Sequence, residues 1–244
     1  MSNLLNFIPE FIGVAAVVWI VRASPRFRFR PIGFVKARRD GLVALGVWLL
    51  AFILQISLFT SLAPGEWINK YLPGGDNLLK DQILYALIGL ALAVVAMSYR
   101  RQPPKSAGWN RLTLRNGVLL GLALGLLILL LRQRTNNILD GVTVTEGNAF
   151  LLAALIGLAE ETFFRGFLQL RLDWWIVKPW GILLTAGLFV VWRLPLLLRA
   201  PETLWASLIL TAIQSLLLAW MMKSSGSVAA PALYRTFSIW CTLL

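Results

Sequence analysis

The chain alternates long apolar runs with short basic or turn-rich segments, and several of the runs reach about 18 residues or more. A run of that length fits the hydrocarbon core of a bilayer as an α-helix. Inside a membrane every backbone N–H and C=O must find its partner within the protein, and a helix supplies those partners itself. The expected fold class is therefore all-α, a polytopic transmembrane helical bundle. Composition agrees: 58% of residues are hydrophobic and 14% charged, against roughly 25% charged in a soluble domain. The formal net charge is +12, with the basic residues gathered between the apolar runs. That placement fits topology signals and anionic lipid headgroups. No DNA- or RNA-binding motif accompanies it, so the expected partner is the lipid bilayer and not nucleic acid.

Eight spans are expected, at about Leu4–Val21, Gly41–Leu62, Gln82–Tyr99, Leu112–Leu131, Asn148–Leu172, Trp180–Leu198, Leu204–Met222 and Val228–Leu244. The first run lacks a basic leader and a small-residue cleavage site, so it is read as a retained span. Arg22, Arg26, Arg28, Arg30, Lys36, Arg38 and Arg39 follow span 1, and Arg100, Arg101 and Lys105 follow span 3. Both basic segments are expected on the cytoplasmic side. The segment between spans 2 and 3 is rich in Pro and Gly, with mixed charge, as expected outside. An even span count then puts both termini on the non-cytoplasmic side. Four spans are assigned to an N-terminal part, residues 1–147, and four to a C-terminal core, residues 148–244. Span 4 repeats a small residue at Gly117, Gly121 and Gly125, a spacing that lets another helix approach closely. Trp67, Trp109, Trp174, Trp175 and Trp180 lie near span ends, as an aromatic belt would.

Charges at membrane depth are costly unless paired or wetted, and they mark sites. Glu160, Glu161 and Arg165 sit at the end of the apolar run from Phe150 to Leu158. Glu161 and Arg165, at i and i+4, share a helix face. Glu160, about 100° around, points to a different neighbour. Arg193 and Arg235 lie inside later spans. If these spans pack together, two acids face up to three guanidinium groups. Such a cluster is either a structural ion-pair network or a buried acid that activates water. The chain has no histidine and one cysteine, Cys241. The commonest general base and metal ligand is thus absent, as is any cysteine cluster. No cofactor and no metal are expected.

The pattern Glu160-Glu161-x-x-x-Arg165 resembles the first motif of the CPBP family, the CAAX prenyl endopeptidases and the bacteriocin-processing or Abi-type intramembrane proteases. The resemblance runs from about Asn148 to Ile239. A second family motif, Phe-x-x-x-His, has its counterpart in Phe189-Val190-Val191-Trp192-Arg193. A third, His-x-x-x-Asn, has its counterpart at Arg235, with Ile239 in place of the asparagine. The resemblance implies a glutamate that activates water, assisted by two histidines. Here both histidine positions read as arginine, which stays protonated and serves neither as a base nor as a metal ligand. The expected function is a catalytically inactive pseudoprotease that binds, stabilises or helps assemble a membrane-protein partner or complex. The alternative is an active glutamate-type CAAX-like endopeptidase, using Glu160, Glu161 and Arg165 with arginines as oxyanion donors. The last four residues, Cys241-Thr242-Leu243-Leu244, match a C-a-a-X box formally. On the expected topology they lie away from cytosolic prenyltransferases and are read as a chance match.

Overall fold

A computed structural model of the chain describes residues 7–24, 33–61, 77–176 and 179–244, and the regular structure among them is helical. Along the chain run α1 (Ile8–Ala23), α2 (Ala37–Ser61), α3 (Asn77–Tyr99), α4 (Arg111–Leu131), a short α5 (Thr135–Leu139) and α6 (Val144–Glu161). A π-helical segment, Thr162–Gln169, continues α6 into α7 (Leu170–Trp175). Then come α8 (Trp180–Leu197), α9 (Leu204–Ser225) and α10 (Ala229–Leu243). Arg26, Arg28 and Arg30, the expected outer segment over 62–76 with Trp67, and Lys178 lie outside the described residues.

Five stretches are long and apolar enough to cross a membrane: Ala37–Thr60, Leu79–Tyr99, Pro104–Leu131, Trp180–Leu197 and Pro201–Ser225. They correspond to expected spans 2, 3, 4, 6 and 7. For the other three expected spans, the helices among the described residues do not meet that length and composition. The helix of span 1 has 16 residues and that of span 8 has 15. The helix of span 5 carries three carboxylates, Glu146, Glu160 and Glu161. That span also begins earlier than expected. Thr143 caps it, accepting from the Glu146 backbone N–H, while the Glu146 side chain accepts from the Thr143 N–H at 2.7 Å. This reciprocal pairing satisfies two donors that a helix start would otherwise leave open.

α10 lies between α4 and α6, and small residues make that possible. A β-carbon on Gly117 would stand 2.6 Å from the Ser227 side chain, one on Gly121 2.7 Å from Leu233, and one on Gly125 2.3 Å from the Phe237 ring. On the other flank, a β-carbon on Gly157 would stand 2.7 Å from the Ala232 carbonyl oxygen. In lipid, helices associate through such close packing and through polar bonds rather than by hydrophobic burial. The turn into α10 depends on Gly226, whose φ of 65° closes α9 with its N–H on the Met222 carbonyl at 2.9 Å. Residues with a side chain adopt that left-handed conformation only at a cost.

Two apolar clusters flank the middle of the bundle. One joins α1, α4, α6, α9 and α10 through Val14, Val18, Leu124, Ala153, Leu218 and Tyr234. The other, largely aromatic, joins α2, α3, the π-segment and α8 through Trp48, Tyr85, Phe163, Phe164, Phe189 and Trp192. The paired carboxylates end α6, which enters the first cluster through Ala153 and runs on into the π-segment of the second.

Candidate functional site

α6 delivers Glu160 and Glu161 at its last two positions, and the chain then winds wider for eight residues. A π-helical stretch is rare and tends to mark functional sites, because it re-aims side chains and loosens the backbone ladder. Here it packs Phe163, Phe164 and Phe167 into the aromatic cluster and holds Arg165 fully buried on the other side. Gly166, in its middle, lies against the 3₁₀ turn Pro104–Ala107: a β-carbon there would come within 2.3 Å of the Ala107 carbonyl oxygen.

All five charged residues singled out in the sequence come together. Glu160 is 1% exposed and Glu161 fully buried. Glu160 Oε2 accepts from Arg193 Nη2 at 2.6 Å, and Arg235 Nε stands 3.6 Å from the same oxygen. Glu161 Oε2 accepts from Arg165 Nε at 3.2 Å. The two acids thus face different cations, as their 100° separation requires. Arg193 does not snorkel to a surface: it is 8% exposed and turned to Glu160. The guanidinium groups of Arg165, Arg193 and Arg235 each lie 5.3–5.6 Å from the centre of the Phe189 ring. A π-face near a desolvated cation is favourable, so Phe189 supports the charge cluster as well as the aromatic one.

α9 contributes two groups that sequence reasoning missed. Ser215 Oγ accepts from Arg165 Nη2 at 2.8 Å, and Gln214 Oε1 accepts from Arg235 Nη1. The adjacent polar pair inside an apolar run was the signal available. A second missed network lies beside the first. Glu10, 2% exposed, accepts from Tyr234 Oη at 2.9 Å and from Arg132 Nε at 2.8 Å, and Arg132 Nη1 reaches the Ser238 carbonyl. It ties α1 and the end of α4 to α10, one residue from Arg235.

Several polar atoms at the centre remain without a hydrogen bond among the described residues: Glu160 Oε1, Glu161 Oε1, Arg165 Nη1, Arg193 Nε and Arg235 Nε. A cavity of about 250 Å³ reaches one residue of this group, Arg235, and has Arg132, Gln214 and Ser238 in its lining as well. Chemically, the arrangement sets a guanidinium against each carboxylate and two of them around Glu160. Among the described residues no three His, Cys, Asp or Glu side chains converge as metal donors. Cys241 is buried in the apolar cluster around Val14 and Tyr234, with its thiol turned into the bundle.

The motif helix, the α8 arginine and the α10 arginine all fall within residues 147–240, which match the family model of the type II CAAX prenyl endopeptidase Rce1-like proteins. Residues 147–240 are similar to that family. The matched stretch runs from the first turn of α6 almost to the end of α10 and contains every charged residue of the central cluster. Its Glu160–Arg193 and Glu161–Arg165 pairs draw on α6, the π-segment and α8. The α4 glycine face that receives α10, and the Glu10–Arg132 contact, lie outside the matched residues. No curated protein and no solved structure matches the chain.

Proposed function

We propose that this is an integral membrane protein whose Rce1-like core has lost proteolysis and serves to bind, stabilise or help assemble a membrane-protein partner. The observation that carries the reading is the 2.6 Å contact between Arg193 and Glu160, both buried. A glutamate that activates water needs an accessible carboxylate with a raised affinity for protons. Here the carboxylate is buried and its Oε2 already accepts from a guanidinium. Arg193 and Arg235 stand where the family resemblance expects histidines, and an arginine cannot take up the proton. The glutamates are then part of an ion-paired centre that keeps α6, α8 and α10 in register. Both termini lie on the non-cytoplasmic side in this reading, with Lys36, Arg100 and Lys105 on the cytoplasmic side.

The second reading is an active glutamate-type endopeptidase, and one observation favours it. Glu160 Oε1 and Glu161 Oε1 lack hydrogen-bond partners among the described residues, and Arg235, 3.6 Å from Glu160, lines a cavity of about 250 Å³ from which it could serve as an oxyanion donor. One experiment separates the two. The purified protein is incubated with a farnesylated C-a-a-X peptide and with its unmodified counterpart, and the products are read by mass spectrometry. The first reading expects both peptides intact, and a membrane protein retained at fixed stoichiometry in mild detergent. Cleavage that disappears in Glu160→Gln would overturn it.

A further inference from the structure

A cavity of about 380 Å³ lies at the junction of the start of α2, the end of α3 and the 3₁₀ turn, away from the central cluster. Its lining includes Lys36, Arg100 and Lys105 against a single carboxylate, Asp40. That carboxylate is engaged: Asp40 Oδ1 accepts from Arg100 Nη2 at 2.8 Å and from Gln102 Nε2 at 3.0 Å. Lys36 and Lys105 are exposed at the rim, and neither forms an ion pair with a described residue. Two positive charges therefore face one concave space with no ion-pair partner among the described residues. Phe34 and Val35 give the same cavity an apolar wall, and Val35 is fully exposed. A cationic rim on an apolar wall, at the end of a membrane-spanning helix, matches an amphiphile with an anionic head.

We propose that this cavity binds the headgroup phosphate of an anionic phospholipid. Lys36 and Lys105 hold the phosphate oxygens, Arg100 adds its remaining donors, and Phe34 and Val35 meet the start of the acyl chains. The site has a solid floor. Gln102 bridges Asp40 to Arg171, whose guanidinium lies 5.1 Å from the Phe34 ring centre and 4.1 Å from that of Phe167, and donates to the Phe167 carbonyl at 2.7 Å. Phe167 belongs to the π-segment. An occupied headgroup site thereby braces the turn against which Gly166 packs, joining lipid binding to the helix that carries Glu160 and Glu161.

The test is native mass spectrometry of the full chain released from detergent. It is titrated with dioleoyl phosphatidylglycerol, with dioleoyl phosphatidylcholine, and with inorganic phosphate as competitor. Phosphatidylglycerol is expected to bind at least about tenfold more tightly than phosphatidylcholine, consistent with two lysines acting on the anionic head. K36Q/K105Q is expected to weaken phosphatidylglycerol about 25-fold, from about fivefold per lysine, and to leave phosphatidylcholine unchanged. Both side chains are exposed, so the variant is expected to keep the wild-type melting temperature. Raising the salt concentration on the unmodified protein gives an independent readout, with loss of the phosphatidylglycerol preference expected. Equal binding of the two lipids, or a double variant that binds phosphatidylglycerol like wild type, would overturn the proposal. Displacement of phosphatidylglycerol by equimolar inorganic phosphate would also overturn it, by making a free phosphate the occupant.

Discussion

At the scale of single residues, the centre of this protein depends on how Glu160 is neutralised. A carboxylate 1% exposed among apolar helices is tolerable only with a cation against it, and Arg193 provides that contact. Removing the cation alone leaves a buried charge behind, so Arg193→Ala is expected to destabilise by about 3–5 kcal/mol. Chemical unfolding in detergent, followed by tryptophan fluorescence, measures it. Phe189 has a share in the same centre through its ring contacts with three guanidinium groups. Glu160, Glu161, Arg165, Arg193 and Arg235 were legible in the sequence because a charge inside an apolar run stands out. Gln214, Ser215 and Tyr234 were not, since uncharged polar residues are ordinary in membrane helices. Glu10 was visible near the start of its run, but its partners lie over 100 residues away in the chain, and no local pattern connects them.

At the scale of elements, the unusual feature is the π-helical segment between α6 and α7. The sequence reading placed one regular helix over Asn148–Leu172, because a change in winding leaves no trace in apolar periodicity. The segment follows directly on Glu160 and Glu161 and carries Phe163, Phe164 and Phe167 into the aromatic cluster. The glycine face of α4 was legible, and its partner was not: only the packing shows that α10 fills it and that Gly157 of α6 receives the same helix. Gly157→Ala would drive a methyl group toward the Ala232 carbonyl at 2.7 Å, and a loss of about 1–3 kcal/mol is expected. Gly187→Ala meets open space and is expected to be neutral or to stabilise by up to about 1 kcal/mol, as alanine favours the helix. Thermal melts of the two variants in one detergent check the contrast, and equal midpoints would refute the packing role given to Gly157.

At the scale of the whole molecule, the helical membrane architecture was readable from run length alone, and five of the eight expected spans are long, apolar helices among the described residues. Span 1 is represented by 16 helical residues and span 8 by 15, while the central helix trades apolar length for carboxylates. The shortest and the most charged of these elements, α10 and α6, pack against each other within the stretch that matches the Rce1-like family model. The proposed orientation makes a prediction of its own. Alkaline phosphatase fused after Leu244 in a bacterial host is expected to be active, and green fluorescent protein at the same point dark, if the C-terminus is non-cytoplasmic. The reverse pattern would invert the topology. The central claim, that Glu160 is an ion-paired structural group, meets its most direct test in a double-mutant cycle. The stabilities of wild type, Glu160→Gln, Arg193→Gln and the double variant are measured by chemical unfolding. A coupling of about 1.5–3 kcal/mol is predicted, with the double variant more stable than Arg193→Gln alone. Coupling near zero, with Glu160→Gln as stable as wild type, would contradict the account.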